Sequence, residues 1–119
     1  MTVGEIRGFV NSQSFRPDGV VYAVHAGEVV GECWSWIESD QLLEGRERRG
    51  EVWCLCVHPR HRGRGLGRAL LLTGVERLRQ GGMRSASLCV DGANPRARRL
   101  YESVGLQQDN EQKWYRKEL

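Results

Sequence analysis

The fold of this chain is decided by residues 51–70, which read EVWCLCVHPRHRGRGLGRAL. The run EVWCLCV is almost wholly apolar and has strand length, which is typical of a central strand covered on both faces. His58-Pro59 ends that strand, and the glycine-rich turn RGRGLG follows. From about Gly65 to Gln80 apolar residues recur at helical spacing, and Gly81-Gly82 ends the helix. The stretch therefore predicts a strand, a tight turn and an amphipathic helix.

The flanking segments add strands and a second helix. Residues 20–25 and 29–37 are rich in β-branched and aromatic residues and predict a β-hairpin, whereas residues 39–50 are polar and predict a loop. Downstream, the patterns predict a strand at 85–90, a helix from Pro95 to about Val104 that Gly105 ends, and a strand at 113–117. The order β-β-β-α-β-α-β indicates an α/β (α+β) fold with a mixed sheet, and residues 1–119 form a single domain.

Composition and charge exclude several classes of protein. The net charge of +3 is modest, and no string of aromatic residues interleaves the arginines as a nucleic-acid stacking platform would require. No apolar run approaches the roughly 20 residues that span a bilayer. The first ten residues, MTVGEIRGFV, lack the pattern of a secretory signal. We therefore expect a cytoplasmic protein without nucleic-acid or membrane partners.

Four cysteines, at positions 33, 54, 56 and 89, lie in predicted strands and form no C-x-x-C pair. Cys54 and Cys56 have strand spacing, point the same way, and are too close along one strand for an easy disulfide. Zinc sites usually combine C-x-x-C with further cysteine or histidine ligands. We therefore expect buried reduced thiols and no metal.

The glycine turn has the features of an anion site. A helix N-terminus presents backbone N–H groups without partners, and its dipole favours negative charge. Glycines allow a phosphate to approach the backbone without meeting a Cβ atom. The P-loop pattern is absent, and in G-R-G-L-G the third glycine comes one residue too early for the dinucleotide pattern. The sequence thus favours a diphosphate ligand of a different kind.

Two motifs resemble the GCN5-related N-acetyltransferases (GNAT). Residues 57–67, VHPRHRGRGLG, resemble the family's [QR]-x-x-G-x-[GA] motif, with Arg62, Gly65 and Gly67 at the defining positions. Residues 94–106, NPRARRLYESVGL, resemble its N-x-x-A-x-x-L-Y-x-x-x-G-F block, with Leu106 replacing the aromatic residue. The resemblance covers roughly residues 20–119. Within the family, the second half most resembles the C-terminal domain of mycothiol synthase.

The resemblance implies a coenzyme A site and an acetyl-coenzyme A cosubstrate. It places the pyrophosphate against the turn, whose other members are Gly63, Arg64 and Arg68. It assigns backbone contacts with the pantetheine arm to Leu55 and Val57. Asn94 either contacts the cofactor, caps the following helix, or does both.

The resemblance also implies the catalytic groups for transfer to a primary amine. Tyr101 would protonate the departing sulfur, since a phenol with a pKa of about 10 remains protonated at neutral pH. Glu51 either activates the amine, directly or through water, or is an ordinary carboxylate at a strand end. Glu32 is a weaker candidate for the base. Trp34 and Trp36 favour core or dimer contacts over acceptor binding.

One departure from the family leaves three alternatives open. About 19 residues precede the hairpin, too few for the strand and two helices that usually form the acceptor wall. Either the acceptor cleft is open, or another chain completes it, or the chain corresponds to half of a two-domain enzyme. An exposed sheet edge would favour a homodimer. A coenzyme A-binding regulatory subunit without catalysis is the alternative function.

Overall fold

The computed structural model describes residues 19–37, 48–89, 95–109 and 114–119. These form six strands, two α-helices and one 3₁₀ turn at Pro59–His61. The strands are β1 (Val20–His25), β2 (Glu28–Trp36), β3 (Arg49–Val57), β4 (Ser85–Cys89), β5 (Gln107–Asp109) and β6 (Trp114–Glu118). The helices are α1 (Leu66–Gln80) and α2 (Pro95–Ser103).

Most predicted elements are confirmed, with small shifts at their ends. The predicted order lacked one strand, β5, which follows α2 directly and pairs with β6. The predicted loop was too long, because β3 already begins at Arg49. The expectation of a missing N-terminal unit concerns residues 1–18, which lie outside the described residues.

The strands form one mixed sheet in the order β1-β2-β3-β4-β6-β5. The pair β3–β4 is parallel, and the other four pairs are antiparallel. A parallel pair needs a crossover connection, and α1 supplies it. The predicted α/β fold with a mixed sheet is therefore confirmed.

Helix α1 covers one face of the sheet with an apolar stripe. Leu71 and Leu78 are completely buried in the core cluster. The stripe packs on strand residues that include Cys33, Val52, Ala86 and Leu88, and the cluster also contains Val104 and Leu106 after α2. Neither described helix is both long enough and apolar enough to cross a bilayer.

A β-bulge in β3 changes which residues face α1. The register with β2 shifts between Trp34↔Cys54 and Ser35↔Val52, so Trp53 is the extra residue. Before the bulge Val52 packs in the core, and after it Leu55 and Val57 do. The other face remains partly open, with Trp53 50% exposed. The expectation that β3 is covered on both faces is therefore wrong for the described residues, because the bulge turns Trp53 and Cys54 away from α1.

Helix α1 packs closely on the sheet at Gly74, and this contact predicts that the effect of one substitution on stability changes sign between two backgrounds. A Cβ atom at Gly74 would lie 2.6 Å from the Sγ of Cys33. We expect Gly74→Ala to destabilise the protein by about 1–2 kcal/mol, because overpacking outweighs the gain in helix propensity. In a Cys33→Ala background the same change should stabilise by roughly 1 kcal/mol. Urea denaturation measures the free energy of unfolding of each variant. Equal destabilisation by Gly74→Ala in the native and Cys33→Ala backgrounds would contradict the packing argument.

Candidate cofactor and acceptor site

The second half of β3 has no described partner on the side that faces β4. The two strands pair from Arg49↔Ser85 to Val52↔Leu88. Strand β3 continues beyond that point to Val57, whereas the described part of β4 stops at Cys89. Among the described residues, the parallel ladder therefore covers only the first half of β3, and we call the side of β3 beyond it, facing β4, the opening.

The backbone of β3 presents hydrogen-bonding groups to this opening. His58 N donates to Val30 O at 2.7 Å, which makes these residues a hydrogen-bonded antiparallel pair. Such pairs alternate along a ladder, so Cys56 bonds towards β2 while Leu55 and Val57 direct their N–H and C=O groups the other way. The backbone groups of Leu55 and Val57 thus point into the opening.

The glycine turn begins where β3 ends. The Arg62 Nε donates to Val57 O at 3.1 Å and so ties the turn to the strand. Gly63 and Gly65 have φ values of +79° and +80°, a region that other residues adopt at a cost. A Cβ atom at either position would meet nothing within 4 Å among the described atoms. These two glycines give the turn left-handed backbone conformations and leave open space beside it among the described atoms.

Within the described ranges, no side chain caps the N-terminus of α1. Gly65 is its N-cap and makes no side-chain capping bond, and the first turn contains no acidic residue. The first bond inside the helix is Ala69 N to Gly65 O, so the amides of Leu66, Gly67 and Arg68 precede it. An uncapped helix end without carboxylates attracts an anion. Arg64 and Arg68 are exposed beside it.

Gly67 lies at a junction that the sequence did not indicate. A Cβ atom there would lie 3.4 Å from Leu100 Cδ2 and 3.9 Å from Val57 Cγ2. The start of α1, the middle of α2 and the end of β3 therefore meet at this residue. A Cβ atom at Gly67 would make ordinary van der Waals contacts with this junction, whereas Gly63 and Gly65 face open space among the described atoms.

Tyr101 follows Leu100 on α2, next to this junction. It is half-buried and packs against the core cluster. Leu106, which replaces the aromatic residue of the family block, is 2% exposed and belongs to the same core. Asn94 lies outside the described residues.

Glu51 lies at the closed end of the opening. It pairs with Trp36 on β2 and with Ser87 on β4, one position before the ladder ends. Its neighbours Gly50 and Val52 face α1, so the Glu51 side chain points to the opposite face. Ser87 is 3% exposed, and its hydroxyl has no hydrogen-bond partner among the described residues. The Glu51 carboxylate and the buried Ser87 hydroxyl are therefore on neighbouring strands at the same position of the ladder.

Two tryptophans lie on the same face as Glu51. The rings of Trp36 and Trp53 have centroids 6.1 Å apart. Trp36 is half-buried, whereas Trp34 is 8% exposed. The expected core role therefore fits Trp34, while Trp36 and Trp53 form an accessible aromatic pair near the carboxylate.

Histidines and cysteines near the turn have distinct environments. His58 Nδ1 accepts a hydrogen bond from Arg60 N at 3.2 Å and caps the 3₁₀ turn.

The described cysteines, Cys33, Cys54 and Cys56, are reduced. Burial, with Cys54 and Cys56 adding to it, raises the pKa of Cys33 to about 12. Cys56 is exposed, so the expectation that the thiols are buried is wrong for this residue.

The Acetyltransferase (GNAT) family model matches residues 4–106. The chain belongs to this family. A mycothiol acetyltransferase of Thermobispora bispora is 44% identical to it over 93 residues, which are 77% of this chain and 31% of the relative. Another, of Acidothermus cellulolyticus, is 35% identical over 113 residues, which are 88% of this chain and 35% of the relative. This GNAT chain thus spans about a third of the length of the curated relatives it matches.

A solved structure shares the fold. The yncA protein of Salmonella typhimurium, solved with its cofactor acetyl-CoA, matches with a TM-score of 0.65 and 22% identity. The match covers 84% of this GNAT chain and 64% of that chain. At this identity the likeness shows the fold alone.

Proposed function

We propose that this GNAT chain transfers an acetyl group from acetyl-coenzyme A to a primary amine. The opening between β3 and β4, which leads to the uncapped N-terminus of α1, carries the proposal. An extended polar arm fits the opening, and a diphosphate fits the helix end. The acetyl-CoA in the yncA structure supports this choice of cosubstrate.

The glycine turn would bind the pyrophosphate. Gly63 and Gly65 leave room for it, and the amides of Leu66, Gly67 and Arg68 would donate to its oxygens. Hydrogen bonds to charged groups contribute about 1.5–3 kcal/mol each, so a few amides supply useful affinity. The guanidinium groups of Arg62, Arg64 and Arg68 would add attraction, while Arg62 also supports the turn.

Strand β3 would hold the pantetheine arm. Because the backbone groups of Leu55 and Val57 point into the opening, the arm would bond to them as a neighbouring strand does. This arrangement directs the thioester towards the closed end, where Glu51 lies. In the family block, Asn94 would contribute a further cofactor contact.

The reaction would proceed by direct attack of the amine nitrogen on the thioester carbonyl carbon. A C–N bond forms, the C–S bond breaks, and the amine loses a proton. Glu51 would accept that proton directly or through water, and Tyr101 would donate one to the departing sulfur. Tyr101 packs against the core on the α1 face of the sheet and Glu51 points to the opposite face, so these groups would approach the thioester from opposite sides.

The proposed function is tested by measuring thiol release from acetyl-coenzyme A with a panel of primary amines. The panel contains small amines, peptides with free N-termini and the amine precursor of mycothiol, after which the relatives are named. We expect release that depends on one class of amine. In Glu51→Gln, kcat should fall about 100-fold or more, because a general base contributes at least that factor.

The matched control is Glu28→Gln, which removes an exposed carboxylate at the start of β2. It should leave both kcat and cofactor affinity unchanged. Equal turnover in Glu51→Gln and the native protein would exclude Glu51 as the base, and a loss in Glu32→Gln would then assign that role to Glu32.

A second candidate function follows from the length of the relatives. Because the chain spans about a third of them, it corresponds in size to one part of a longer acetyltransferase. In that case another chain, a second copy or a further domain would complete the acceptor side. Tight acetyl-coenzyme A binding without turnover on any amine would favour this candidate or a regulatory coenzyme A-binding subunit.

A further inference from the structure

Three potential metal ligands converge on the sheet face opposite α1. Glu32 lies on β2 and pairs directly with Cys56 on β3, while Cys54 lies two residues earlier on the same strand. The Sγ atoms of Cys54 and Cys56 lie 3.7 Å and 3.6 Å from the Oε1 atom of Glu32. One carboxylate oxygen and the two sulfurs all lie within 4.8 Å of one another.

We propose that Glu32, Cys54 and Cys56 form a binding site for a thiophilic divalent cation, with Zn²⁺ as the best match. Zinc takes sulfur ligands at about 2.3 Å and carboxylate oxygen at about 2.0–2.2 Å. In a tetrahedron of those bond lengths, neighbouring ligand atoms are roughly 3.5–3.8 Å apart. The two sulfur–oxygen distances already match that spacing. Binding therefore requires little movement of the side chains.

The backbone keeps the three ligands in this arrangement. On β2, Gly31 and Cys33 face α1, so Glu32 between them faces the other way. The bulge places Cys54 on that same face, and Cys56 follows two residues later. A rigid pair of strands thus presents the ligands, and the exposure of Cys56 leaves a route for the ion and for a solvent molecule as the fourth ligand.

The electrostatics of the cluster indicate that a cation would be favourable there. Burial, then Cys56 and Glu32, raises the pKa of Cys54 to about 12. Burial, then Glu32, raises the pKa of Cys56, and Arg62 opposes that rise. The Glu32 carboxylate therefore disfavours the thiolate form of both cysteines. A divalent cation would reverse this effect and displace the two thiol protons to solvent.

Sequence spacing alone did not indicate this site. A C-x-C pair supplies two ligands, and the third comes from another strand whose register the sequence does not reveal. Tyr22 on β1 pairs with Glu32 from the other side, so its phenol lies on the face of the cluster, and the Arg62 guanidinium is near enough to lower the pKa of Cys56.

The test uses Co²⁺ as a spectroscopic probe and Zn²⁺ as its competitor, in reduced native protein. We expect one Co²⁺ per chain, with near-ultraviolet absorption from two thiolate bonds that Zn²⁺ abolishes. Because two protons are released, the apparent affinity should rise up to 100-fold between pH 7 and pH 8. Cys54→Ser and Cys56→Ser should each weaken binding at least 100-fold, and Glu32→Gln about tenfold.

The matched control is Cys33→Ala, which removes a thiol on the opposite face of the sheet and should leave the affinity within twofold. Alkylation of the native protein provides a second measurement that needs no variant: Zn²⁺ should protect Cys54 and Cys56 from iodoacetamide. Absence of saturable one-to-one binding, unchanged binding in Cys54→Ser, or equal alkylation with and without Zn²⁺ would overturn the proposal.

Discussion

Gly65→Glu should weaken acetyl-coenzyme A binding at least 100-fold, as measured by calorimetric titration. At Gly65 a Cβ atom would point into open space at the N-terminus of α1. The new carboxylate would therefore occupy the proposed pyrophosphate position and repel its charge. It would also place a carboxylate of the protein itself at the helix N-terminus, where the phosphate would otherwise bind. A factor of 100 corresponds to about 2.7 kcal/mol, comparable with one or two charged hydrogen bonds.

The chain offers a closely matched control in Gly27→Glu. Gly27 has a φ of +79°, and a Cβ atom there would meet nothing within 4 Å, the same environment as at Gly65, but it lies in the β1–β2 turn. Both substitutions cost roughly 1–2 kcal/mol of backbone strain and add one negative charge. Only Gly65→Glu should abolish binding. An equal loss in both variants would assign the effect to strain or net charge, and native-like binding in Gly65→Glu would exclude the turn as the pyrophosphate site.

Tyr101→Phe should lower kcat about 100- to 1000-fold while leaving acetyl-coenzyme A affinity within a few-fold. Phenylalanine keeps the ring that packs against the core and removes only the hydroxyl. A purely structural tyrosine would instead lose stability and keep its turnover. Steady-state kinetics with a calorimetric affinity separates the two roles.

Tyr22→Phe is the control for that experiment. Tyr22 is 51% exposed on β1, and its hydroxyl has no place in the proposed reaction. Its variant should show native kcat. If Tyr101→Phe keeps native kcat as well, protonation of the sulfur must come from another group or from water.

Local patterns predicted most of the fold because its elements follow simple periodicities. The helix at Leu66–Gln80 has a clear apolar stripe and terminal glycines, and the hairpin at Val20–Trp36 has β-branched strands around a short turn. Strand β5 was missed because its three residues, QQD, are polar and too short to show alternation. Its strand geometry depends on pairing with β6, which is a tertiary contact.

The candidate site was predictable only where local backbone geometry requires a residue type. Gly63 and Gly65 were chosen as candidates because glycines allow a tight turn and the approach of a phosphate, and both have positive φ values. The position of Gly67 beside Leu100, the buried hydroxyl of Ser87 and the convergence of Glu32 on the two cysteines all depend on neighbours distant in sequence. The bulge at Trp53 could not be predicted either, because EVWCLCV is an uninterrupted, almost wholly apolar run in the sequence.

The proposed binding of acetyl-coenzyme A along β3 would link the lifetime of the folded chain to the supply of that cosubstrate. An arm that bonds to Leu55 and Val57 would act as a replaceable strand, so its release and unfolding would be coupled equilibria. At a concentration 100 times the Kd, the cofactor would add about 2.7 kcal/mol to the free energy of unfolding. The amides of these two residues would then change from fast to slow hydrogen exchange. Without the cofactor, the chain would be unfolded for a larger fraction of the time and would be degraded sooner.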